Sequence, residues 1–248
     1  MRALALALAL AALVACGGSE KSADEPDRDK ITLGDRSGDR RSGMPDDPDE
    51  DEPDDIEVEG TRGKLDSYDI EQGMEPHKTG LAKCYHSRVK RTKYVGGKVQ
   101  LQYLIARDGT VKKVQVSESD LGAWPIEKCL LGIARSMQFP KPKGGEAHFS
   151  VPFDFTSNRS VKWWTEDRVD QEIGDVMSQL GQCQDAGSDV WVTLYVGTRG
   201  KVKSAGFASA ADQPPSDAWA DCAEAKVKSW VLSDPRGRIA KMMFRFNP

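Results

Sequence analysis

Two stretches of the chain carry their apolar residues at steps of four, three, four and three. This spacing places them along one face of an amphipathic helix. The first stripe contains Ile70, Met74, His77, Leu81 and Cys84. The second contains Val169, Ile173, Val176, Leu180 and Cys183. The identical spacing predicts a duplicated unit.

Each predicted helix precedes a run with a period of two, which indicates a strand with one buried face. These runs contain Val99, Leu101, Tyr103 and Ile105 in the first copy, and Val190, Val192, Leu194 and Val196 in the second. A tight turn follows each run, with Gly109 and Gly200 available for positive φ. The return strands, Val111, Val114, Val116 and Val202, Ala205, Phe207, step by three and then two. This step predicts a β-bulge at the same place in both copies.

A second helix and a closing strand complete each copy. Trp124 and Pro125 begin one helix, where proline is tolerated in the first turn, and Trp219 begins the other. The closing strands are "FSVPFDF" from Phe149 and "AKMMFRF" from Ala240. The order helix, strand, strand, helix, strand therefore occurs twice. It predicts an α+β protein of two modules, residues 65–157 and 163–248, each with a small antiparallel sheet.

The N-terminus carries a short apolar run, Ala3 to Ala15, after the basic Arg2. As a helix it would be about 20 Å long, which is less than the roughly 30 Å of a bilayer core. We therefore expect residues 1–15 to be a cleaved secretory signal peptide.

The residues that end this run are Leu13, Val14, Ala15 and Cys16, followed by Gly17. They resemble the lipobox of bacterial lipoproteins, which implies cleavage before Cys16 and attachment of lipid to that cysteine. Since no aspartate follows Cys16, the resemblance implies an outer-membrane anchor with the protein facing the periplasm. The alternative is an ordinary signal peptide with a coincidental cysteine.

An acidic linker is predicted between the anchor and the first module, over residues 16–64. Residues 20–59 hold 17 acidic and 6 basic side chains and almost no large apolar residue. Such a segment cannot bury enough apolar surface to fold, so we expect a disordered tether. The rest of the chain is net positive, which leaves three alternatives: ordinary solubility, fold-back of the tether, or contact with anionic envelope polymers.

Several motifs of the first module support a family resemblance. They are Cys84-Tyr85, the Asp108-Gly109 turn, Cys129, the Phe-Pro-Lys-Pro run from Phe139, and Pro152-Phe153-Asp154-Phe155. Over residues 70 to 156 the chain resembles the C-terminal domain of AgmX/PglI proteins, which occurs in gliding-motility and envelope proteins and is related to the TonB C-terminal domain. The second module is a degenerate copy, because Gln184 follows Cys183 and "WVLSDPRG" replaces Phe-Pro-Lys-Pro.

The resemblance implies a lipid-anchored scaffold or adaptor in a motility, secretion or transport assembly of the cell envelope. TonB-type domains accept partner segments by adding a strand to a sheet edge. The predicted contact region is therefore the closing strands around Phe153, Phe155, Phe244 and Phe246. Expected partners are the membrane, through the lipid, and envelope proteins. The sequence does not predict the oligomeric state.

Four cysteines remain besides Cys16, and four cysteines permit three pairings. An exported chain meets an oxidising compartment, and the repeat favours pairing within each module. We expect Cys84 to pair with Cys129 and Cys183 with Cys222. Each bridge would close a long loop and stabilise its module by roughly 4 kcal/mol on the chain-entropy model.

No set of residues points to catalysis, to a metal or to a cofactor. His77, His86 and His148 are scattered, and no nucleophile or phosphate-loop motif is present. We expect no enzyme and no nucleic-acid partner. The alternative function is binding of peptidoglycan or another anionic glycan through Lys83, Arg88, Lys90, Arg91, Lys93, Trp163 and Trp164.

Overall fold

The computed structural model describes residues 62–90 and 92–248. The predicted signal peptide, Cys16, nearly all of the acidic linker, and Arg91 lie outside these residues. The described part is a mixed α+β structure with two four-stranded sheets and five α-helices. We call residues 62–157 the first half and residues 162–248 the second half.

The first half begins with a short strand, β1 (Arg62–Gly63), and α1 (Ser67–Met74). A 3-10 turn (Glu75–His77) leads into α2 (Lys78–Val89). The remaining elements are β2 (Gly97–Ile105), β3 (Val111–Ser119), α3 (Trp124–Arg135) and β4 (Glu146–Phe155). The sheet order is β1-β4-β2-β3, and only β1 runs parallel to its neighbour.

The second half repeats this order. It consists of β5 (Lys162–Trp163), α4 (Glu166–Ile173), a 3-10 helix (Met177–Gln182), β6 (Val190–Val196), β7 (Val202–Ser209), α5 (Asp217–Ser229) and β8 (Ala240–Phe246). Its sheet order is β5-β8-β6-β7, again with the short first strand parallel to the closing strand.

Both hairpins contain the predicted turn glycine and the predicted bulge. Gly109 has φ 90° and Gly200 has φ 68°. A side chain at Gly200 would also collide with Leu232, because its Cβ atom would lie 1.5 Å from that residue's carbonyl oxygen. The pairing register shifts between Leu104 and Ile105, and at the matching place between Tyr195 and Val196. The three-then-two step therefore marks one extra residue at this place in each return strand, and β3 has a second register shift opposite Gln100 and Leu101.

The first predicted helix is interrupted in both halves, and more severely in the second. Pro76 lies in the 3-10 turn between α1 and α2. In the second half the prediction of one helix reaching Cys183 is wrong, because α4 ends at Ile173 and only a 3-10 helix follows. Gly174 and Gly181 weaken the helix there, since glycine has low helix propensity.

Each half has a core between its sheet and its helices. The alternating residues of β2 and β6 are almost completely buried, as the period of two predicted. Disulfides join Cys84 to Cys129 and Cys183 to Cys222, with Cα–Cα distances of 5.7 and 5.9 Å. Cys129 lies in α3 and Cys222 in α5, and each is bridged to a cysteine in the segment that precedes the first long strand of its half.

Candidate interaction surfaces

The two halves pack directly on each other. The N-terminal turn of α3 lies against the outer face of β7, the face turned away from the core of the second half. A Cβ atom on Gly206 would stand only 2.4 Å from a carboxylate oxygen of Glu127 and 2.6 Å from the backbone nitrogen of Ala123. The small residue at position 206 therefore permits this contact.

Glu127 is a completely buried carboxyl group in this contact. It accepts hydrogen bonds from the Ser119 hydroxyl at 2.7 Å and from the backbone N–H of Phe207 at 2.9 Å. Burial raises the pKa of Glu127 to about 7, opposed by these hydrogen bonds and helped by the charge of Glu224. The contact between the halves therefore keeps this carboxyl group out of water.

Lys241 forms a second buried polar contact between the halves. Its ammonium group donates to Asp120 at 3.1 Å and to the carbonyl oxygen of Gly96 at 3.0 Å. The Tyr195 hydroxyl donates to the same carbonyl at 2.9 Å. Burial lowers the pKa of Lys241, and the charge of Asp120 opposes that shift.

Charged pairs at the rim complete the contact between α3 and α5. Asp221 accepts from the indole N–H of Trp124 at 2.8 Å and from Lys128 at 2.6 Å. Arg135 makes two bonds of 2.7 Å to Asp217. These partners lower the pKa of both aspartates. Because the pairs are directional, they fix the orientation of one half on the other.

The outer edge of β8 is only partly covered. β5 occupies its start, where the backbone N–H groups of Lys162 and Trp164 donate to the carbonyls of Ile239 and Lys241. The backbone N–H and C=O groups of successive residues point to opposite sides of a strand. Those of Met243 and Arg245 therefore also point to this edge. No described strand pairs with them there.

The outer edge of β4 is similar but lacks one donor. β1 covers only Glu146 and Ala147. Pro152 pairs with Gln100 of β2, and a proline is accepted in such a strand when its nitrogen faces away from the ladder. Pro152 therefore removes a hydrogen-bond donor from the open edge. The equivalent residue of β8 is Arg245, which keeps its N–H.

The four phenylalanines predicted at the contact region are core residues. Phe153, Phe155, Phe244 and Phe246 are 1, 6, 5 and 4% exposed. Phe155 stacks on Tyr85, and Phe246 stacks on Trp219. Their side chains hold the closing strands in place, so a partner at these strands would meet backbone and outward side chains. Partner binding at these strands stays a prediction.

A groove of about 510 Å³ lies where the outer faces of the two sheets meet. Trp191 and Met243 provide its apolar surface and are 36 and 40% exposed. Gln100, Glu118 and Asp154 line the opposite side. The sequence patterns did not predict this groove. The available signal was a tryptophan at an outward position of β6, where the alternation favours a polar residue.

The basic and aromatic residues of the alternative function are dispersed. Lys83, Arg88, Lys90 and Lys93 are exposed in the first half. Trp163 is half-exposed beneath the Lys241 ammonium group, 4.6 Å from its ring. Trp164 does not offer the exposed ring that glycan binding would need, because it is 7% exposed and covered by the Arg168 guanidinium at 4.2 Å. The aromatic platform expected for a glycan is therefore reduced to one ring.

Over residues 62–90 and 92–248, no group of three or more histidine, cysteine, aspartate or glutamate side chains is arranged to hold a metal ion. Within the same residues, no helix has the length and apolar character needed to cross a membrane.

Comparison with known proteins gives no match to a protein-family model, a curated protein or a solved structure.

Proposed function

We propose that this protein is a lipid-anchored scaffold of the bacterial cell envelope that binds partner proteins by strand addition. The observation that carries the proposal is the open outer edge of β8 at Met243 and Arg245. An added strand gains affinity from backbone hydrogen bonds and selectivity from nearby side-chain sites.

The chain's own short strands support this mode of binding. β1 and β5 each add two residues in parallel to the edge of a closing strand, so these edges accept an extended segment. Beyond β5, the edge of β8 continues beside the groove that contains Trp191 and Met243. A partner strand paired with Met243 would place alternate side chains at this groove.

We further propose that the two halves are tandem modules of the AgmX/PglI C-terminal type, related to the TonB C-terminal domain. Three features support a common origin: the same sheet order, the same bulge position and the same disulfide placement. The absence of Phe-Pro-Lys-Pro in the second half makes it the degenerate copy.

The lipobox-like residues that end at Cys16 and the two disulfides support a location in the cell envelope. Structural disulfides persist in exported proteins and are rare in the cytosol. We propose that Cys16 carries the lipid, that the anchor lies in the outer membrane facing the periplasm, and that the acidic linker acts as a tether. The protein then presents a surface for other proteins and catalyses no reaction.

Site-specific photocrosslinking in cells tests strand addition. A photoreactive residue at Met243 is expected to give discrete protein adducts, whereas one at the exposed Lys83 gives none. Arg245→Pro removes the outward N–H without touching the β6 ladder, and it should abolish the Met243 adducts. Arg245→Ala is the matched control, because it keeps the N–H and should keep the adducts.

Two outcomes would contradict the proposal. Adducts that survive Arg245→Pro would exclude backbone pairing at this edge. Sedimentation with purified peptidoglycan, lost on charge reversal of Lys90 and Lys93, would favour the glycan-binding alternative.

In the same cells, Cys16→Ser is expected to move the protein from the membrane to the soluble fraction.

A further inference from the structure

A concave, positively charged surface lies in the second half, away from the contact between the halves. It has a volume of about 420 Å³ and is formed by β5, α4 and the turn before β8. We name it the basic cleft and define it by Lys162, Arg168, Asp234, Arg236 and Arg238.

The cations of the basic cleft are poorly neutralised. Among the described residues, Lys162, Arg236 and Arg238 have no ion pair, and all three are exposed. The carboxylate of Asp234 accepts from the backbone N–H of Arg236. Arg168 lies over the Trp164 ring and 3.7 Å from Glu172. The cleft therefore has an excess of positive charge and free guanidinium donors.

Local backbone geometry holds these cations together. Arg236 and Gly237 both have positive φ, 56° and 78°, which turns the chain sharply between Asp234 and Arg238. The turn brings the two arginines to the same cleft as Lys162, which β5 fixes at the edge of the sheet. Like charges that outnumber the nearby carboxylates favour an anionic ligand.

We propose that this ligand is the chain's own acidic segment, residues 46–55. That segment holds eight carboxylates and two prolines in ten residues, and no basic residue. Arginine forms bidentate bonds with carboxylates, so the two exposed guanidinium groups suit such a ligand. Because the segment is part of the same chain, its effective concentration at the cleft is in the millimolar range.

The chain is long enough for this contact. Residues 46–55 precede Arg62 by 7 to 16 residues, and at about 3.3 Å per residue they reach roughly 20 to 50 Å from it. A folded body of this size has a radius of gyration of about 16 Å and is roughly 40 Å across. The more distant residues of the acidic segment can therefore reach much of the surface of the body.

The consequence is competition at the basic cleft. Any anionic partner has to displace the acidic segment, and raised salt weakens the intramolecular contact by screening. This inference is independent of strand addition, because it uses neither the edge of β8 nor the groove between the sheets.

Zero-length carbodiimide cross-linking of the full-length protein, read by peptide mass spectrometry, tests the inference. At 50 mM salt we expect bonds between the Lys162 amine and carboxylates of residues 46–55. Their yield should be independent of protein concentration and fall at least fivefold in 0.5 M salt. Arg236→Glu with Arg238→Glu should reduce it at least fivefold, whereas Lys90→Glu with Lys93→Glu, an equal charge change elsewhere, should not.

Three results would overturn the inference. They are absence of products from Lys162, an equal loss in both double variants, and products that form only between molecules. A cleft that instead retains purified peptidoglycan in an Arg236- and Arg238-dependent way, with no intramolecular product, would assign the site to an external polymer.

Discussion

The inner faces of the two sheets are alike, whereas their outer faces differ. On the first sheet the outer face of β3, the strand equivalent to β7, carries Lys113, Gln115 and Glu118, and only Gln115 is buried. On the second sheet the corresponding face of β7 carries Ser204, Gly206 and Ala208, and all three are buried. The first half docks onto the second, and the small residues of β7 make room for α3.

This difference separates two roles of the repeated sequence. The buried alternating residues of the sheet, the bulge and the disulfide stabilise each half, and they occur in both halves with little change. The outer faces and open edges decide what each half contacts. Arg245 keeps a donor on the edge of β8, while Pro152 removes one from β4, so the second half has the better edge for an added strand.

The largest expected effect comes from removing one disulfide at a time. The loops closed by Cys84–Cys129 and Cys183–Cys222 span 45 and 39 residues. On the chain-entropy model each bridge contributes about 4 kcal/mol to the free energy of unfolding. Paired Cys→Ala variants should therefore lose similar stability in urea denaturation. A loss below about 1 kcal/mol for either pair would show that the two bridges are not equivalent.

A smaller effect concerns Glu127, which forms no salt bridge with any described residue. Its pKa is raised to about 7 in the folded protein from 4.5, so the folded state keeps a proton that the unfolded state releases between these pH values. Its contribution to stability is full below pH 4.5 and falls as pH rises through 7, by about 3 kcal/mol in total. Glu224 and the Lys241 ammonium group also act on this carboxyl.

Glu127→Gln should remove this component of the pH dependence. The variant is expected to match the wild type near pH 4.5 and to be more stable than it at pH 8, measured by urea denaturation at each pH. Glu118→Gln, at an exposed carboxyl of the groove, is the control and should leave the pH profile unchanged. A Glu127→Gln variant that is less stable at pH 8 would contradict a protonated Glu127 in the docked state.

The smallest effect tests the space between the halves. Gly206→Val places methyl groups against Glu127 and the backbone of Ala123, so we expect a loss of about 2 kcal/mol from overpacking. Unfolding should also split into two transitions as the halves separate. Ser150→Val, on the exposed outer face of β4, should change stability by less than about 0.5 kcal/mol. Equal losses for both variants would contradict the asymmetry of the outer faces.

Much of each half follows from local patterns in the sequence. The alternation in β2 and β6, the glycines of both hairpins and the three-then-two step predict strands, turns and a bulge that the structure contains. The helix predicted through Val176 to Cys183 was wrong, because periodicity alone does not weigh the cost of Gly174 and Gly181 in a short helix.

The surfaces were less predictable from the sequence. The phenylalanines of the closing strands lie in the core. The exposed positions at the open edge are Met243, which precedes Phe244, and Arg245, which lies between Phe244 and Phe246. The groove at Trp191 and the basic cleft both gather residues that are distant along the chain. No spacing rule connects Lys162 with Arg236 and Arg238.

The sequence by itself determined the repeated order of elements and the inner face of each sheet, because these depend on periodicity and on residues close together in the chain. Only the tertiary structure decided that one half docks on the outer face of the other through Glu127 and Lys241. The free energy of a buried polar group depends on the partners that surround it, and those partners come together only when the chain is folded.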